Sequence, residues 1–368
     1  MMPIHRVTLV TLSLLLLPAL VLARGQSLSM TAALGSAYDD NFLQYSPGQL
    51  SDFEAGLKPA QFSIATRDDQ LWLPSLAFAF EADRGHGHRS EITVRGSGEY
   101  HQKNGTADHG SGSVSWRESF GAGRRLSLSA YRLPGFYLRQ LFDDDAVNPF
   151  PGQSKYRRAE FDLTTVAAKY RQRVVDGLSL EAGYQHEQRD YVPDFAERTS
   201  SLHQGSLTFD CTAPKNGAFG AGVSYQSSKA DAKDDDAAVT PFDDVDVSYH
   251  GLEFDADARW RFVRSPSHSL DGLIAVQSEG RTYDSDRAAD KYHHGRSDRR
   301  LMIEPALRLS LHKQWGARVA YMYEKNDAKL GTAAPASADA GSYVENRITF
   351  TLEWNHELWY SRRGAAGE

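Results

Sequence analysis

The stretch Tyr249–Phe262, YHGLEFDADARWRF, decides the fold class of this chain. Its even-numbered positions from Leu252 onward are apolar, and five consecutive odd-numbered positions, Glu253 to Arg261, are ionisable. Successive side chains of a β-strand point to opposite faces, so this pattern gives one apolar face and one charged face. A helix would scatter the same charges around its circumference. The stretch therefore predicts a long strand.

The same alternation recurs along the chain in fourteen segments that we expect to be strands. They are Ser27–Tyr38, Gln70–Asp83, Glu91–Gln102, Ser111–Phe120, Leu126–Leu133, Tyr156–Arg173, Leu178–Asp190, Ser200–Thr212, Ala218–Lys229, Tyr249–Phe262, Leu270–Thr282, Arg300–His312, Ala317–Lys325 and Tyr343–Leu358. The connections are long after each odd strand and short after each even one, which is typical of bacterial outer-membrane barrels. A short helical turn is expected near residues 52–57 of the first connection.

Two fold classes can give such alternation. A soluble sandwich also buries one face and exposes the other, but it has no reason to sort its loops by parity. In hydrocarbon every backbone polar group needs an internal partner, so strands with a lipid-facing side must form a closed sheet. The pattern therefore favours an all-β fold, a transmembrane antiparallel up-and-down β-barrel of about 14 strands.

The N-terminal residues differ from the rest in composition. A basic start, MMPIHR, precedes the apolar run VTLVTLSLLLLPALVLA, as in a cleaved secretory signal. The run is also about long enough for a spanning helix, but Pro18 and the small residue Ala23 favour cleavage. We expect a signal peptide over residues 1–23, a barrel over 24–360 and a C-terminal tail over 361–368.

Overall charge and cysteine content narrow the possible partners. The net charge of −7 argues against binding to nucleic acid. The single cysteine, Cys211, excludes an internal disulfide framework and a cysteine-based metal cage, and we expect it on a lipid-facing or packed surface. A mean hydropathy of −0.51 would suit a soluble protein. It also suits a barrel, because half of the strand positions face water.

Aromatic residues concentrate near the two ends of the predicted strands. Those toward the long connections are Tyr184, Tyr225, Tyr321 and Tyr323, and those toward the short turns are Trp116, Trp260 and Trp354. Aromatic girdles at both membrane interfaces are typical of transmembrane barrels.

Over essentially its whole mature part, the chain resembles the β-barrel proteins of the Gram-negative outer membrane. Its YDDNF sequence, Tyr38–Phe42, is similar to openings of several porin-like barrels. Monomeric fatty-acid transporters and some oligosaccharide porins have a similar size. The resemblance implies an outer-membrane location, with outer-membrane lipid and the barrel-assembly machinery as partners. Common barrels end on an aromatic residue, whereas this chain continues past Trp359 and Tyr360.

The charged residues of the polar strand faces are expected to line the lumen. They are Arg95, Glu99, Arg117, Glu160, Asp162, Glu181, Glu187, Arg189, Glu253, Asp255, Asp257, Arg259, Arg261, Glu304, Arg308, Arg318 and Glu353. Charges of both signs can pair across strands and stabilise the wall. They can also form a channel whose charged lining selects small solutes. We expect a porin-like passive channel for an unknown small solute; the alternative is a structural or loop-displaying barrel without channel activity.

The tract 135–155 is long enough to fold inward and narrow the pore. It carries Phe142 together with Asp143, Asp144 and Asp145. We expect this tract to form a constriction loop.

Metal, cofactor and enzyme chemistry find little support in the sequence. The acidic loops lack the ligand spacing and central glycine of a calcium loop, and His293 and His294 are adjacent on a loop without further ligands. We expect no cofactor.

An outer-membrane lipid hydrolase needs a serine and a histidine on the outer surface, oriented by a third residue. His186 and His250 fall on the outward register, but no matching serine motif accompanies them.

Overall fold

The computed structural model describes residues 25–121, 123–142, 155–213, 216–231, 246–286, 290, 292–312, 314–332, 334 and 338–362. These residues form fourteen strands: β1 Gly25–Asp39, β2 Asp69–Gly85, β3 His88–His101, β4 His109–Phe120, β5 Arg124–Phe142, β6 Tyr156–Val175, β7 Leu178–Tyr191, β8 Ser200–Thr212, β9 Gly217–Ala230, β10 Tyr249–Arg264, β11 His268–Tyr283, β12 Ser297–Leu311, β13 Trp315–Lys329 and β14 Tyr343–Arg362. One α-helix, α1, covers Pro47–Glu54, and short 3-10 turns cover Pro59–Gln61, Gly105–Ala107 and Pro193–Arg198.

The strands form a closed antiparallel barrel in which each strand pairs with its neighbours in sequence. The ring closes between the first and last strands, which pair from Gly25 opposite Arg362 to Asp39 opposite Arg347. Connections after even strands have two to four residues, and those after odd strands have seven to 29. The predicted fold class and the alternation of connection lengths are therefore confirmed.

The short turns depend on glycine. Gly177, between β6 and β7, has φ of +81°, and a Cβ there would lie 3.1 Å from the backbone oxygen of Thr212. Only glycine adopts this left-handed conformation freely and leaves room for the neighbouring chain. The tight turn fixes the register of the two strands it joins.

Most strands carry large exposed apolar side chains along one side. On β10 the exposed fractions are 48% for Leu252, 57% for Phe254, 52% for Trp260 and 60% for Phe262. The charged odd-numbered residues of β10 lie on the opposite face. Cross-strand partners continue this charged face around the sheet: Glu253 pairs with Glu279 of β11, and Glu279 pairs with Arg300 of β12. The barrel therefore has an apolar outer surface and a charged inner surface.

Strand β5 is longer than the sequence predicts. We expected it to end near Leu133, but it continues to Phe142. The register shifts between Leu133 and Phe136, where Gly135 has φ of +58°. Pro134 and Gly135 resemble a turn in the sequence. In the structure they form a β-bulge: they are extra residues of β5 with no direct partner on β6, and the strand continues beyond them.

Other boundaries differ less. Helix α1 lies at residues 47–54 and not at 52–57, because Ser46 and Gln49 form a capping box that starts it earlier. Strand β14 includes Ser361 and Arg362, the first two residues of the predicted tail. The predicted signal peptide lies outside the described residues. No helix within those residues is long and apolar enough to cross a membrane.

Candidate functional site: the barrel lumen

The first long connection, residues 40–68, identifies the inner face of the barrel. Arg139 of β5 donates a hydrogen bond to the backbone oxygen of Leu43 (2.9 Å), and Gln44 donates to Glu345 of β14 (3.0 Å). The ring of Phe42 lies 4.9 Å from that of His101 on β3. Strands β3, β5 and β14 lie at separate positions around the curved wall, so a segment that contacts all three must cross the interior. The connection therefore folds into the barrel at its long-connection end.

A buried apolar cluster holds this connection in place. It consists of Leu43, Tyr45, Phe62, Ala107 and Tyr137. Tyr45 is only 1% exposed, and this burial raises the pKa of its hydroxyl to about 12. The cluster fills part of the lumen, so the first connection narrows the passage. The sequence analysis assigned the narrowing of the pore to residues 135–155. The aromatic residues at 42–45 and 61–62, within a long polar connection, are the signal that could have pointed to the first connection instead.

Most of the charges predicted to line the lumen lie on the inner face. They are Arg95, Glu99, Arg117, Glu181, Glu187, Arg189, Glu253, Asp255, Asp257, Arg259, Arg261, Glu304, Arg308, Arg318 and Glu353. Glu160 and Asp162 do not. They alternate with Ala159 and Phe161, which are buried, and so share the outer face with the exposed Val166. Their expected inward position is wrong, because they share the even-numbered positions of β6 with the outward Val166 and Tyr170.

Many inward charges form ion pairs between strands. Separations are 3.0 Å for Arg117–Glu91, 2.9 Å for Arg347–Glu99 and 3.5 Å for Arg308–Glu353, and Arg318 also binds Glu304. Arg117 and Glu91 lie directly opposite one another on β4 and β3, within reach of such pairing. Arg347–Glu99 and Arg308–Glu353 join strands that are not neighbours in the ring. These pairs neutralise much of the wall.

Asp271 of β11 is a lumen residue that sequence reasoning missed. Its carboxylate accepts hydrogen bonds from Arg259 (2.5 Å) and Arg261 (2.7 Å), and the residue is 1% exposed. Two guanidinium groups on one carboxylate leave a net positive charge at this point. Its position could have been predicted, because Asp271 lies within the predicted strand Leu270–Thr282, the strand that follows these two arginines.

A row of carboxylates on β10 remains without ion pairs in the described part of the chain. It consists of Glu253, Asp255 and Asp257, at successive inward positions. The side chains of Asp255 and Asp257 lie against Gly222 and Gly220 of β9, in space that side chains there would fill. We call Glu253, Asp255 and Asp257 the acidic row.

Arg95 stands on the other side of the lumen. It belongs to β3, which is seven strands away from β10 in a ring of fourteen. Among the described residues Arg95 has no ion-pair partner, and its side chain is exposed. The acidic row and Arg95 therefore give the lumen opposite charges on opposite walls.

The predicted constriction tract is only partly described. Residues 135–142 belong to the wall in β5, and Phe142 at its end is 56% exposed, with its ring 5.6 Å from that of Tyr156. Asp143, Asp144 and Asp145 lie outside the described residues. That they narrow the pore stays a prediction.

The histidines predicted to be weak metal-ligand candidates have other partners. His293 is buried, and its Nδ1 lies 2.9 Å from Asp290 Oδ1; His294 Nδ1 lies 3.0 Å from the backbone oxygen of Ser285. Within the described ranges no group of three or more His, Cys, Asp or Glu is placed to hold a metal ion. Cys211 is exposed on the outer face.

The outward histidines do not form a hydrolase site in the described structure. The rings of His186 and His203 are tilted by 35°, with their centroids 4.8 Å apart. His250 Nδ1 lies 2.7 Å from Asp284, and Ser227 is directly opposite His250 on β9. No hydrogen bond joins Ser227 to His250 among the described side chains, so the histidine has no activated nucleophile beside it.

Several solved structures are similar to this chain in fold. A bacterial polysaccharide outer membrane secretin has a TM-score of 0.45 and 11% identity, and the match covers 90% of this chain and 99% of the other. The outer membrane channel DcaP of Acinetobacter baumannii has the same TM-score and identity, with coverages of 90% and 97%. An anion-selective porin from Comamonas acidovorans has a TM-score of 0.42 and 10% identity, covering 90% and 99%. No family model and no curated protein matches the sequence. The fold of this chain is established by its own closed, fourteen-stranded antiparallel sheet.

Proposed function

We propose that this chain spans a bacterial outer membrane as a passive channel for small hydrophilic solutes, with a preference for cations. The observation that carries the proposal is the acidic row on the inner wall of a closed barrel. Carboxylates without ion pairs attract cations and repel anions in a narrow polar passage.

The exterior supports the membrane location. The apolar stretch of β10 runs from Leu252 to Phe262, which matches the roughly 9–11 residues that a tilted strand needs to cross hydrocarbon. Neighbouring strands continue it with Ile274, 44% exposed, and Phe219, 52% exposed. A soluble monomer rarely exposes apolar patches above a few hundred Å². Lipid of the outer membrane and the barrel-assembly machinery are the partners that such a barrel requires.

The interior supports passage of a polar solute. Its lining is mostly serine, threonine, glycine and paired charges, for example Ser113, Ser115 and Thr208 on β4 and β8. The first connection narrows this passage near the long-connection end. A narrowed, hydrated lumen with a charged wall passes small solutes and excludes large ones.

The experiment is a zero-current potential measurement in a planar bilayer under a tenfold KCl gradient at low salt. One carboxylate about 6 Å from an ion in water contributes about 0.7 kcal/mol, or about threefold in local ion concentration. We expect Asp255→Asn with Asp257→Asn to reduce the cation preference several-fold. Asp327→Asn, on the outer face, is the matched control and should leave it unchanged. An anion preference in the parent protein, or equal potentials in parent and double variant, would refute the proposal.

A further inference from the structure

Four arginines surround one cavity at the short-turn end of the barrel. Arg124, Arg125, Arg171 and Arg173 line a space of about 710 Å³, together with residues of the turns that follow β2, β4, β6 and β8. Arg125, Arg171 and Arg173 lie at inward positions of β5 and β6. The cavity therefore opens toward the lumen and not toward lipid.

Carboxylates neutralise this cluster only in part. Arg125 and Lys169 share Glu181, at 3.5 and 3.7 Å. Arg171 pairs with Asp210 at 3.0 Å. These two carboxylates are the inward acids that face the cluster from β7 and β8, and Asp257 of β10 lies next to Asp210 against Gly220.

The remaining two arginines are the least neutralised. Arg173 lies 3.9 Å from Asp176, whose side chain is fully exposed in a turn. Arg124 has no ion pair within the described ranges, and its side chain is exposed. Five cationic side chains thus share three carboxylates, and the cavity keeps a net positive charge.

One guanidinium donor in the cavity has no protein acceptor. The Nε of Arg125 is buried and makes no hydrogen bond to any described residue. A buried donor without an acceptor costs about 1–3 kcal/mol, which a bound oxyanion relieves once the Arg125 side chain turns this nitrogen toward the cavity. Glycines at positions 87, 121, 123 and 177 also line the cavity.

We propose that this arginine cavity binds a soluble multivalent oxyanion, with phosphate or carboxylate groups, that enters from the periplasmic side. Guanidinium groups bind both kinds of oxyanion in bidentate fashion. Several of them around one space favour a ligand with several anionic groups over a single monovalent one. This cavity borders the acidic row, because Asp210, the partner of Arg171, and Asp257 both lie against Gly220. Its occupancy does not require that the barrel conduct.

The test is isothermal titration of the full-length protein, folded in a phosphate-free detergent, with inorganic tripolyphosphate at low salt. The double variant Arg124→Gln with Arg173→Gln removes the two least neutralised charges and leaves the closer ion pairs intact. Arg264→Gln is the matched control, because Arg264 is exposed at the same end of the barrel on β10. Heat-modifiable gel migration verifies folding of each variant.

We expect binding by the parent protein and by Arg264→Gln, and at least tenfold weaker binding by the double variant. The charge-conserving pair Arg124→Lys with Arg173→Lys should bind with intermediate affinity, since it keeps the charge and loses the bidentate geometry. Absence of binding by the parent protein would overturn the proposal. So would equal losses in the glutamine double variant and the Arg264→Gln control.

Discussion

The carboxylate of Asp257 lies against Gly220 of the neighbouring strand, in the space that a side chain at position 220 would occupy. Glycine on β9 therefore lets a charge of β10 fold back against the wall. Asp255 has the same relationship with Gly222. The position of the acidic row depends on two residues that carry no side chain.

Substituting Gly220→Ala should push the Asp257 carboxylate further into the lumen. The displaced atoms are at the end of a flexible side chain, so we expect a stability change below about 1 kcal/mol and a lower single-channel conductance. Gly280→Ala, where nothing lies within 4 Å of the added Cβ, is the control and should leave conductance unchanged. Equal conductance in parent and Gly220→Ala would mean that the acidic row does not border the passage.

Removing the aromatic ring that anchors the first connection should widen the channel. Tyr45→Ala deletes the most buried member of the apolar cluster, and we expect the connection to lose about 3 kcal/mol of docking free energy. Single-channel conductance should rise. Lys58→Ala, which breaks only an exposed ion pair of the same connection, should have no effect. If Tyr45→Ala conducts like the parent protein, the connection does not limit flow.

Adjacent residues on β11 should respond oppositely to a positive charge. Ile274 faces outward, and Ala275 faces inward between Asp257 and Glu304. Arginine on the lipid face of a barrel costs about 2–4 kcal/mol near the midplane, so Ile274→Arg should lower the free energy of unfolding in lipid vesicles by about that amount. Ala275→Arg should cost far less. The reverse order would contradict the assignment of inner and outer faces.

Acid should loosen the connection between β11 and β12. Burial lowers the pKa of His293, and its contact with Asp290 offsets only part of that effect. The folded connection therefore favours neutral His293, and its opened form binds a proton more readily. Stability of the connection is full above about pH 6.5, the usual histidine value, and decreases as the pH falls below it.

Hydrogen exchange, corrected for intrinsic rates, checks this at pH 7.5 and 5.5. Protection of residues 292–296 should decrease at the lower pH in the parent protein. His293→Gln keeps a side-chain N–H donor for Asp290 and does not titrate, so its protection should change little. Greater protection of the parent protein at pH 5.5 would show that the sign is wrong.

Sequence patterning predicted the barrel because each strand follows one local rule, the alternation of apolar and polar residues. Ser200–Thr212 was placed to the residue, and most other strands within three. The rule fails where local signals mislead, as at Pro134 and Gly135, which mark a bulge inside a strand. It also cannot show where a connection folds: the first connection is held by contacts with β5 and β14, where Arg139 bonds to Leu43 and Gln44 bonds to Glu345.

The lumen was predictable in part for the same physical reason. Alternation gives the inward side of each strand, so the acidic row could be found from the sequence. Which charges remain unpaired depends on register between strands. Arg259 and Arg261 bind Asp271, whereas Asp255 and Asp257 face glycines, and alternation along one strand cannot tell these outcomes apart.

Single-channel recording from the purified protein in a planar lipid bilayer tests the central claim most directly. A continuous polar lumen predicts stable, ohmic conductance steps from protein whose heat-modifiable migration shows a folded barrel. Folded protein that inserts into the bilayer and yields no steps would contradict the channel assignment.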